Sequence, residues 1–328
     1  APVAVQIYAR SGGAALQSVT FPSTAPAPAA APFDVTERGR GTTSGYLNRS
    51  SDGSILVVPG YNAPAGTASI TGTSTAVAGR TIGVISALGV PSTPRAVNMF
   101  SGQAYRSIVS DGVNYWAAGA NGVNYITAAG VVTALTNTNA RNIEIYNGTL
   151  YVTSGSASPG VGIARIGSAG TLPTAATTAT AFILTTSGTG TPSPIGFAIS
   201  PDSGWAYVAD DRSAASGGGI QKWKLTGATW SLQYTLTPAA GVAARGLAVD
   251  FTNFDATTGF GAAIVATTTE GSNNKLVYYA SDTGSSTPPV TIATAGANYV
   301  FRGADFAPPT PVPTVVATTP AAGATLVE

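Results

Sequence analysis

A short apolar strand, a tight turn and a second strand richer in aromatic residues recur six times along this chain of 328 residues. The copies begin near Tyr46, Arg106, Arg141, Ile195, Arg245 and Arg302. Repetition at spacings of roughly 35 to 60 residues, built from strands alone, is typical of a radial array of sheets. The sequence therefore predicts an all-β fold of the β-propeller type.

The turns between the first two strands of several copies carry strong hairpin signals. Asp52-Gly53, Asp111-Gly112 and Asn147-Gly148 each stand between segments of alternating apolar residues. These pairs favour the two-residue turns in which the backbone adopts positive φ. We therefore predict a β-hairpin at each of the three positions.

The two ends of the chain suggest how the ring closes. The sixth copy stops after Phe306, and residues 3–10 and 16–21 form two predicted strands that lack a first strand of their own. Joining these pieces would remove open sheet edges and tie the termini together. We predict six blades, the last closed by the N-terminal strands. A seventh blade within residues 24–43 is the alternative, although this Pro/Ala-rich stretch is more typical of a loop.

The composition changes after Ala307, where prolines become frequent. We divide the chain into a propeller over residues 1–307 and a Pro-rich C-terminal tail or linker over residues 308–328. Segments of this kind behave as semi-rigid spacers. We expect the tail to lie along its own propeller or to add a strand to a neighbouring molecule.

Charged residues are few and two common catalytic residue types are missing. Only 9% of residues are charged, with 15 basic against 14 acidic, and the chain contains no cysteine and no histidine. A near-zero net charge provides no long-range field for nucleic acid. No apolar run is long enough to insert into a membrane.

The absence of Cys and His excludes Ser-His-Asp and Cys-His triads and thiolate or imidazole metal sites. Strands rich in Thr, Ser and Gly, with few charges, favour an extracellular or cell-surface protein.

Four arginines open the predicted first strands, namely Arg106, Arg141, Arg245 and Arg302. First strands surround the central channel of a propeller, so the four guanidinium groups would gather at one mouth. One interpretation is structural: the arginines cap backbone groups and form ion pairs between blades, with Glu144, Asp250 and Asp305 as candidate partners. The other is a ligand site that binds an anion at this mouth.

Asp210 and Asp211 form the one adjacent carboxylate pair and precede a Gly-rich loop. With carbonyl oxygens of the loop they could bind calcium, which prefers several oxygen ligands in a flexible cage. The alternative is that one aspartate caps the turn while the other pairs with Arg212. Calcium is the only cofactor that the sequence suggests.

Three segments resemble a group of bacterial extracellular β-propeller proteins: residues 207–212 (YVADDR), 217–223 (GGGIQKW) and 302–308 (RGADFAP). The resemblance covers residues 1 to about 308 and implies a secreted bacterial protein, often of several domains. It brings no catalytic residues with it. Residues 315–327 of the tail are similar to the opening strand of bacterial Ig-like modules.

Three functions from different classes fit these features. The first is a non-enzymatic extracellular module for surface association, adhesion or ligand binding, whose partner would be a glycan or another surface ligand. The second is a self-assembling subunit of a filament or surface layer, joined to other copies through the tail. The third is a carbohydrate-active enzyme, either a hydrolase or a polysaccharide lyase in which Tyr105 and Arg106 would act. The scarcity of paired carboxylates favours the first.

Overall fold

The computed structural model describes residues 1–24, 26–39 and 41–309 of the chain. Within this part the chain forms 22 strands and two short 3₁₀ helices, Ile70–Gly72 and Ala214–Ser216. Neighbouring strands in each sheet pair in an antiparallel manner. The all-β prediction is therefore confirmed. None of the described helices is long and apolar enough to cross a bilayer.

A two-stranded N-terminal sheet precedes five four-stranded sheets, which are the blades. The N-terminal hairpin consists of β1 (Ala4–Ile7) and β2 (Gln17–Thr20). The first blade consists of β3 (Asn48–Arg49), β4 (Ile55–Tyr61), β5 (Arg80–Ser86) and β6 (Pro91–Val97). The second consists of β7 (Tyr105–Ser110), β8 (Tyr115–Gly119), β9 (Gly122–Ile126) and β10 (Val132–Thr136).

The remaining blades repeat this pattern. The third consists of β11 (Ala140–Tyr146), β12 (Thr149–Ser154), β13 (Gly162–Ile166) and β14 (Ala179–Leu184). The fourth consists of β15 (Pro194–Ile199), β16 (Trp205–Asp210), β17 (Gly219–Thr226) and β18 (Thr229–Leu236). The fifth consists of β19 (Ala244–Asp250), β20 (Ala263–Thr268), β21 (Lys275–Tyr279) and β22 (Val290–Thr294).

The blades are arranged radially, with their first strands innermost. Each sheet keeps the order of the chain, and the first strands of successive blades contact one another, β3 with β7, β7 with β11, β11 with β15 and β15 with β19. This is a β-propeller, as the repeats predict. Apolar clusters fill the spaces between blades; Val57, Tyr61 and Ile82 of the first blade, for example, pack with Tyr105 and Ile108 of the second.

The predicted hairpin at Asn147-Gly148 is confirmed. Tyr146 pairs with Thr149 across the turn, and both central residues have positive φ, 48° for Asn147 and 67° for Gly148. That combination matches the twist of the flanking strands, which is why Asn-Gly is favoured there. Chain reversals at the Asp-Gly pairs likewise join β3 to β4 and β7 to β8, with φ of 77° at Gly53 and 98° at Gly112.

The prediction of six or seven blades is wrong, because the described residues form five. Residues 302–306 form no strand, and neither do the described residues between 24 and 43, where Thr36 alone makes isolated bridges. Hydrogen bonds that involve side chains, rather than a strand ladder, hold residues 302–306. Thr267 Oγ1 donates to the Arg302 carbonyl at 2.7 Å, and Asp305 Oδ2 accepts from the Arg49 amide at 2.6 Å. Without a strand ladder, the N-terminal hairpin stays a separate two-stranded sheet.

The two ends of the described chain nevertheless meet between the fifth and the first blade. Arg10 forms an ion pair with Asp250 of the fifth blade at 3.1 Å, and its guanidinium lies over the Phe306 ring at 5.0 Å. On the other side, the buried residues Val19 and Phe21 pack into the core of the first blade. The predicted boundary at residue 308 adjoins residues 310–328, which lie outside the described residues, so the division into propeller and tail stays a prediction.

Candidate functional site at the arginine mouth

The side chain of Asn48 connects the innermost strands of three blades. Its Nδ2 donates to Ser107 Oγ at 2.9 Å and to the Ile108 carbonyl at 2.8 Å in the second blade. The same nitrogen donates to Asn142 Oδ1 at 3.3 Å and to the Ile143 carbonyl at 2.9 Å in the third. Asn48 is buried, so at this level the centre of the ring is filled by hydrogen-bonded polar groups.

Irregular pairing at the start of the first strands positions three of the four predicted arginines. The register shifts between Tyr105 and Ser107 in β7, and equivalent shifts occur at Ala140/Ile143 in β11 and Ala244/Leu247 in β19. An extra residue in one strand bends it and re-aims the local side chain. Arg106, Arg141 and Arg245 all stand within these irregularities. We call these three residues together with Arg302 the arginine mouth.

Arg106 and Arg141 each reach forward to the next blade. Arg106 Nη1 donates to Asn139 Oδ1 at 2.5 Å and to the Ala140 carbonyl at 3.0 Å. Arg141 Nη1 donates to Ser193 Oγ at 2.7 Å and to the Pro194 carbonyl at 3.3 Å. These acceptors are neutral. Neither arginine forms an ion pair within the part of the chain that the structure describes.

Arg245 and Arg302 have acidic neighbours. Arg245 Nε lies 3.2 Å from Asp211 Oδ2, which bridges the fifth and fourth blades. Arg302 donates to the carbonyls of Ser44 and Arg38. Burial lowers the pKa of Arg302, while nearby Glu37 acts in the opposite direction. The positive charges of this pair of arginines are therefore offset locally.

Tyr46 lies among the arginines and is almost fully buried. Burial raises the pKa of its hydroxyl, and the negative charge of Asp211 adds to that rise. Arg245, Arg302 and Arg141 oppose the rise, so the hydroxyl is within electrostatic reach of three members of the mouth. Its backbone amide donates to the Arg106 carbonyl at 3.1 Å.

Positive charge at the mouth is least compensated at Arg106. Burial, followed by repulsion from Arg141, lowers the pKa of Arg106 to about 10. Its Nε is buried without a hydrogen-bond partner, and the structure shows no acceptor for its Nη2 among the described residues. The structure thus brings the four predicted arginines into one neighbourhood and leaves two of them without a carboxylate.

The carboxylates that were predicted to pair with these arginines lie elsewhere. Asp250 pairs with Arg10. Burial raises the pKa of Glu144, and the nearby Asp305 raises it further, while Arg49 opposes that rise. Burial also raises the pKa of Asp305. These two acids form a second polar group around the central strands, and the predicted pairing with the arginine mouth is wrong for all three acids.

The two residues of the predicted calcium pair interact with different arginines. Asp210 Oδ2 lies 2.9 Å from Arg212 Nη2, and both side chains are buried. Asp211 instead contacts Arg245. In the described residues no three acidic side chains come together as a metal site would require. Calcium binding at Asp210 and Asp211 remains a prediction.

Tyr105, the candidate base of a lyase, does not share an accessible surface with Arg106. Its side chain is fully buried, and its ring stacks on Phe100 with the centroids 5.8 Å apart. Burial holds the pKa of this hydroxyl well above its usual value. A polysaccharide could not reach it without unfolding this part of the blade.

Sequence reasoning missed a buried ion pair between the fourth and fifth blades. Lys222 on β17 and Asp282, which follows β21, are shielded from solvent, although the Asp282 loop is typical of an exposed rim. Tyr207 Oη donates to Asp282 Oδ2 at 2.5 Å and Tyr234 Oη donates to Asp282 Oδ1 at 2.7 Å. Rings of Trp205, Tyr207, Tyr234 and Phe260 surround the ammonium group at 4.9 to 5.3 Å. The one sequence signal that could have indicated this pair is the position of Lys222 among the apolar residues of a strand.

Several solved structures are similar to this chain at low identity. A protein of Bacteroides uniformis, provisionally named a 6-phosphogluconolactonase, is 14% identical, with 84% of this chain and 74% of that chain covered and a TM-score of 0.45. A gluconolactonase of Xanthomonas campestris is 12% identical, with 77% of each chain covered and a TM-score of 0.44. The extracellular domain of a B. thetaiotaomicron protein, provisionally named a hybrid two component system, is 12% identical, with 83% of this chain and 36% of that chain covered and a TM-score of 0.42. No protein-family model and no curated protein matches the chain.

Proposed function

We propose that this protein is a non-enzymatic extracellular binding module that takes an anionic ligand at the arginine mouth. One observation carries the proposal: Arg106 and Arg141 lie close together and only neutral acceptors contact them in the described chain. Repulsion between these two guanidinium groups helps to lower the pKa of Arg106. A bound anion would offset that repulsion.

Unused hydrogen-bond donors support the same conclusion. Arg141 uses only Nη1 and Arg245 uses only Nε in bonds to described residues. Guanidinium groups offer forked donors that match carboxylate and phosphate oxygens. Because part of each arginine is fixed against a blade, the free part is oriented before a ligand arrives, which lowers the entropic cost of binding.

The described groups at the mouth favour binding over catalysis. Asp211 is held by Arg245, and Tyr46 is buried with a raised pKa. General acid–base chemistry requires a side chain that can exchange a proton with the substrate near neutral pH. The chain contains neither histidine nor cysteine to supply one.

The proposed partner is an acidic glycan or another anionic surface ligand. Extracellular placement rests on the composition, which is poor in charge and rich in Thr, Ser and Gly. Bacterial origin rests on the resemblance of residues 207–212, 217–223 and 302–308. Self-assembly through residues 308–328 is a separate prediction, which light scattering of the chain with and without residues 309–328 would test.

Calorimetric titration tests the anion site directly. Sodium phosphate, sulfate and galacturonate are titrated into the wild type, into an Arg106→Ala, Arg141→Ala double variant and into Arg95→Ala. Arg95 is a matched control because it is exposed on the first blade and donates only to carbonyls. We expect binding that weakens with ionic strength and falls at least about tenfold in the double variant only. Absence of binding by all three anions, or equal binding by the double variant, would contradict the proposal.

A further inference from the structure

We infer that the arginine mouth binds a terminal carboxylate or phosphoryl group end-on, at the edge of Arg141 that carries Nε and Nη2. The identity of the ligand class rests on the anion-binding function proposed above. Three features of the described residues support it: the fixed orientation of Arg141, the three donor nitrogens that lie against Gly155, and the burial of Tyr46 and Asn48 at the centre of the ring.

The guanidinium of Arg141 is held by one of its three nitrogens. Nη1 makes two hydrogen bonds to the start of the fourth blade, to Ser193 and Pro194. No acceptor among the described residues bonds to Nε or Nη2. Those two nitrogens form the edge that binds two oxygens of one carboxylate or phosphate in parallel. Arg141 therefore presents an oriented fork with no acceptor of its own.

The fork of Arg141 packs closely against Gly155. A Cβ atom at this position would lie 3.2 Å from Arg141 Nη2, 3.4 Å from Arg141 Nε and 3.4 Å from Asn139 Nδ2. Three donor nitrogens thus lie together against the Cα of Gly155. The φ of Gly155 is not positive, so the backbone angle does not require glycine here. A larger side chain would push these donors out of the arrangement in which they can share one oxyanion.

Asn139 links the fork of Arg141 to the second arginine. Its Oδ1 accepts from Arg106 Nη1, and its Nδ2 lies beside Gly155 with the two free nitrogens of Arg141. The same residue thereby holds Arg106 close to that fork. An anion bound to Arg141 would also reduce the repulsion between the two guanidinium groups.

The floor of the mouth excludes a chain that passes through the ring. Tyr46 is 1% exposed and Asn48 is 2% exposed, and the Asn48 amide spans the innermost strands of three blades. A charged group in the middle of a polymer carries bulk on both sides, whereas a terminal group carries it on one side only. The mouth therefore fits the end of a molecule whose remainder stays outside.

The test compares four probes by calorimetric titration: inorganic phosphate, galacturonate, its uncharged methyl ester, and polygalacturonate at equal carboxylate concentration. Gly155→Val displaces the fork of Arg141, while Arg141→Lys keeps the charge but removes the fork. Gly271→Val is the matched control, since no atom lies within 4 Å of its Cβ position and its φ is also not positive. Thermal melting verifies that each variant is folded.

We expect phosphate and galacturonate to bind the wild type and Gly271→Val, and the ester and the polymer to bind at least about tenfold more weakly per group. Gly155→Val and Arg141→Lys should each lose about tenfold in affinity for galacturonate. If no anion binds the wild type, the proposed function itself fails. If anions bind but both variants retain full affinity, or the polymer binds equally per carboxylate, anion binding stands and end-on recognition at Arg141 is overturned.

Discussion

Lys222 Nζ lies 2.8 Å from Asp282 Oδ2, and the two side chains are 1% and 0% exposed. The pair joins β17 of the fourth blade to the segment that follows β21 of the fifth. Burial lowers the pKa of Lys222, and Asp282 acts against this change. Removing two charges from water is costly, so the pair depends on the tyrosine hydroxyls that bond to Asp282. It connects two blades through polar contacts within an apolar interface.

Replacement of Lys222 by methionine should be strongly destabilising. The variant leaves the Asp282 carboxylate buried with no cation, which typically costs about 3 to 5 kcal/mol of unfolding free energy. Urea denaturation measures the loss. Lys275→Met is the control, because Lys275 pairs with Glu270 at a partly exposed site, with side chains 36% and 23% exposed, and should change stability by at most about 1 kcal/mol. Equal losses in the two variants would show that the buried pair has no special role.

The pair also shows where sequence reasoning ends. Asp282 is 60 residues from Lys222 and follows a strand in a stretch of Ser, Thr and Gly, which is typical of a solvated loop. Only the ring arrangement of blades brings that loop over β17. Because side chains alternate between the two faces of a strand, Lys222 lies on the same face as Ile220, which is buried. The partner could not be predicted, because it depends on the angle between two blades.

The blade count failed for a related physical reason. The letters Arg-Gly recur at residues 245–246 and at 302–303, and they indicate an innermost position correctly in both cases. The first copy continues into a hairpin, whereas the second continues into Ala307 and Pro308, and among the described residues no strand pairs with it. Hairpin turns depend on adjacent residues, and the sequence predicted them well. Whether a segment becomes part of a blade depends on distant strands, and the sequence did not predict it.

The N-terminal hairpin should contribute substantially to stability through Phe21. This ring is buried against the first blade, and a Cβ on Gly83 would lie 3.1 Å from it. Phe21→Ala removes a large buried side chain and should cost about 3 to 5 kcal/mol in thermal or urea unfolding. Leu16→Ala, at a side chain that is 71% exposed, should change stability by less than about 0.5 kcal/mol. A small effect of Phe21→Ala would mean that the hairpin is not docked.

Glu144 should make the protein less stable as the pH rises. Its pKa is raised by burial and by Asp305, while Asn142 and Arg49 oppose the rise. The folded state therefore holds a proton more tightly than the unfolded state. The stability from this group is fully present below the ordinary glutamate pKa and is lost as the pH rises through the higher folded value.

Glu144→Gln isolates that contribution. The glutamine is neutral at every pH, so the difference in unfolding free energy between variant and wild type should grow in favour of the variant from about pH 4.5 upward. Denaturant unfolding at a series of pH values measures the difference. Glu270→Gln is the control with the opposite sign, because the pKa of Glu270 is lowered: burial raises it, but hydrogen bonds from Lys275 and Thr268 outweigh this. A constant difference for Glu144→Gln across the pH range would contradict the expectation.

Gly246 allows the last described segment to close the ring against β19. A Cβ on Gly246 would lie 2.2 Å from the Arg302 carbonyl oxygen and 3.0 Å from the Ala304 nitrogen, both backbone atoms that cannot turn aside. Gly246→Ala should therefore displace residues 302–304 and cost about 1 to 3 kcal/mol. Gly271→Ala is the control. Like Gly246, Gly271 does not have a positive φ, but its Cβ position is open. Gly271→Ala should therefore be neutral or stabilising by up to about 1 kcal/mol. Urea unfolding measures the change in unfolding free energy for both variants. A loss of stability in Gly246→Ala without a loss in Gly271→Ala would support closure at Gly246. A gain of stability in Gly246→Ala would show that residues 302–304 do not pack there in solution.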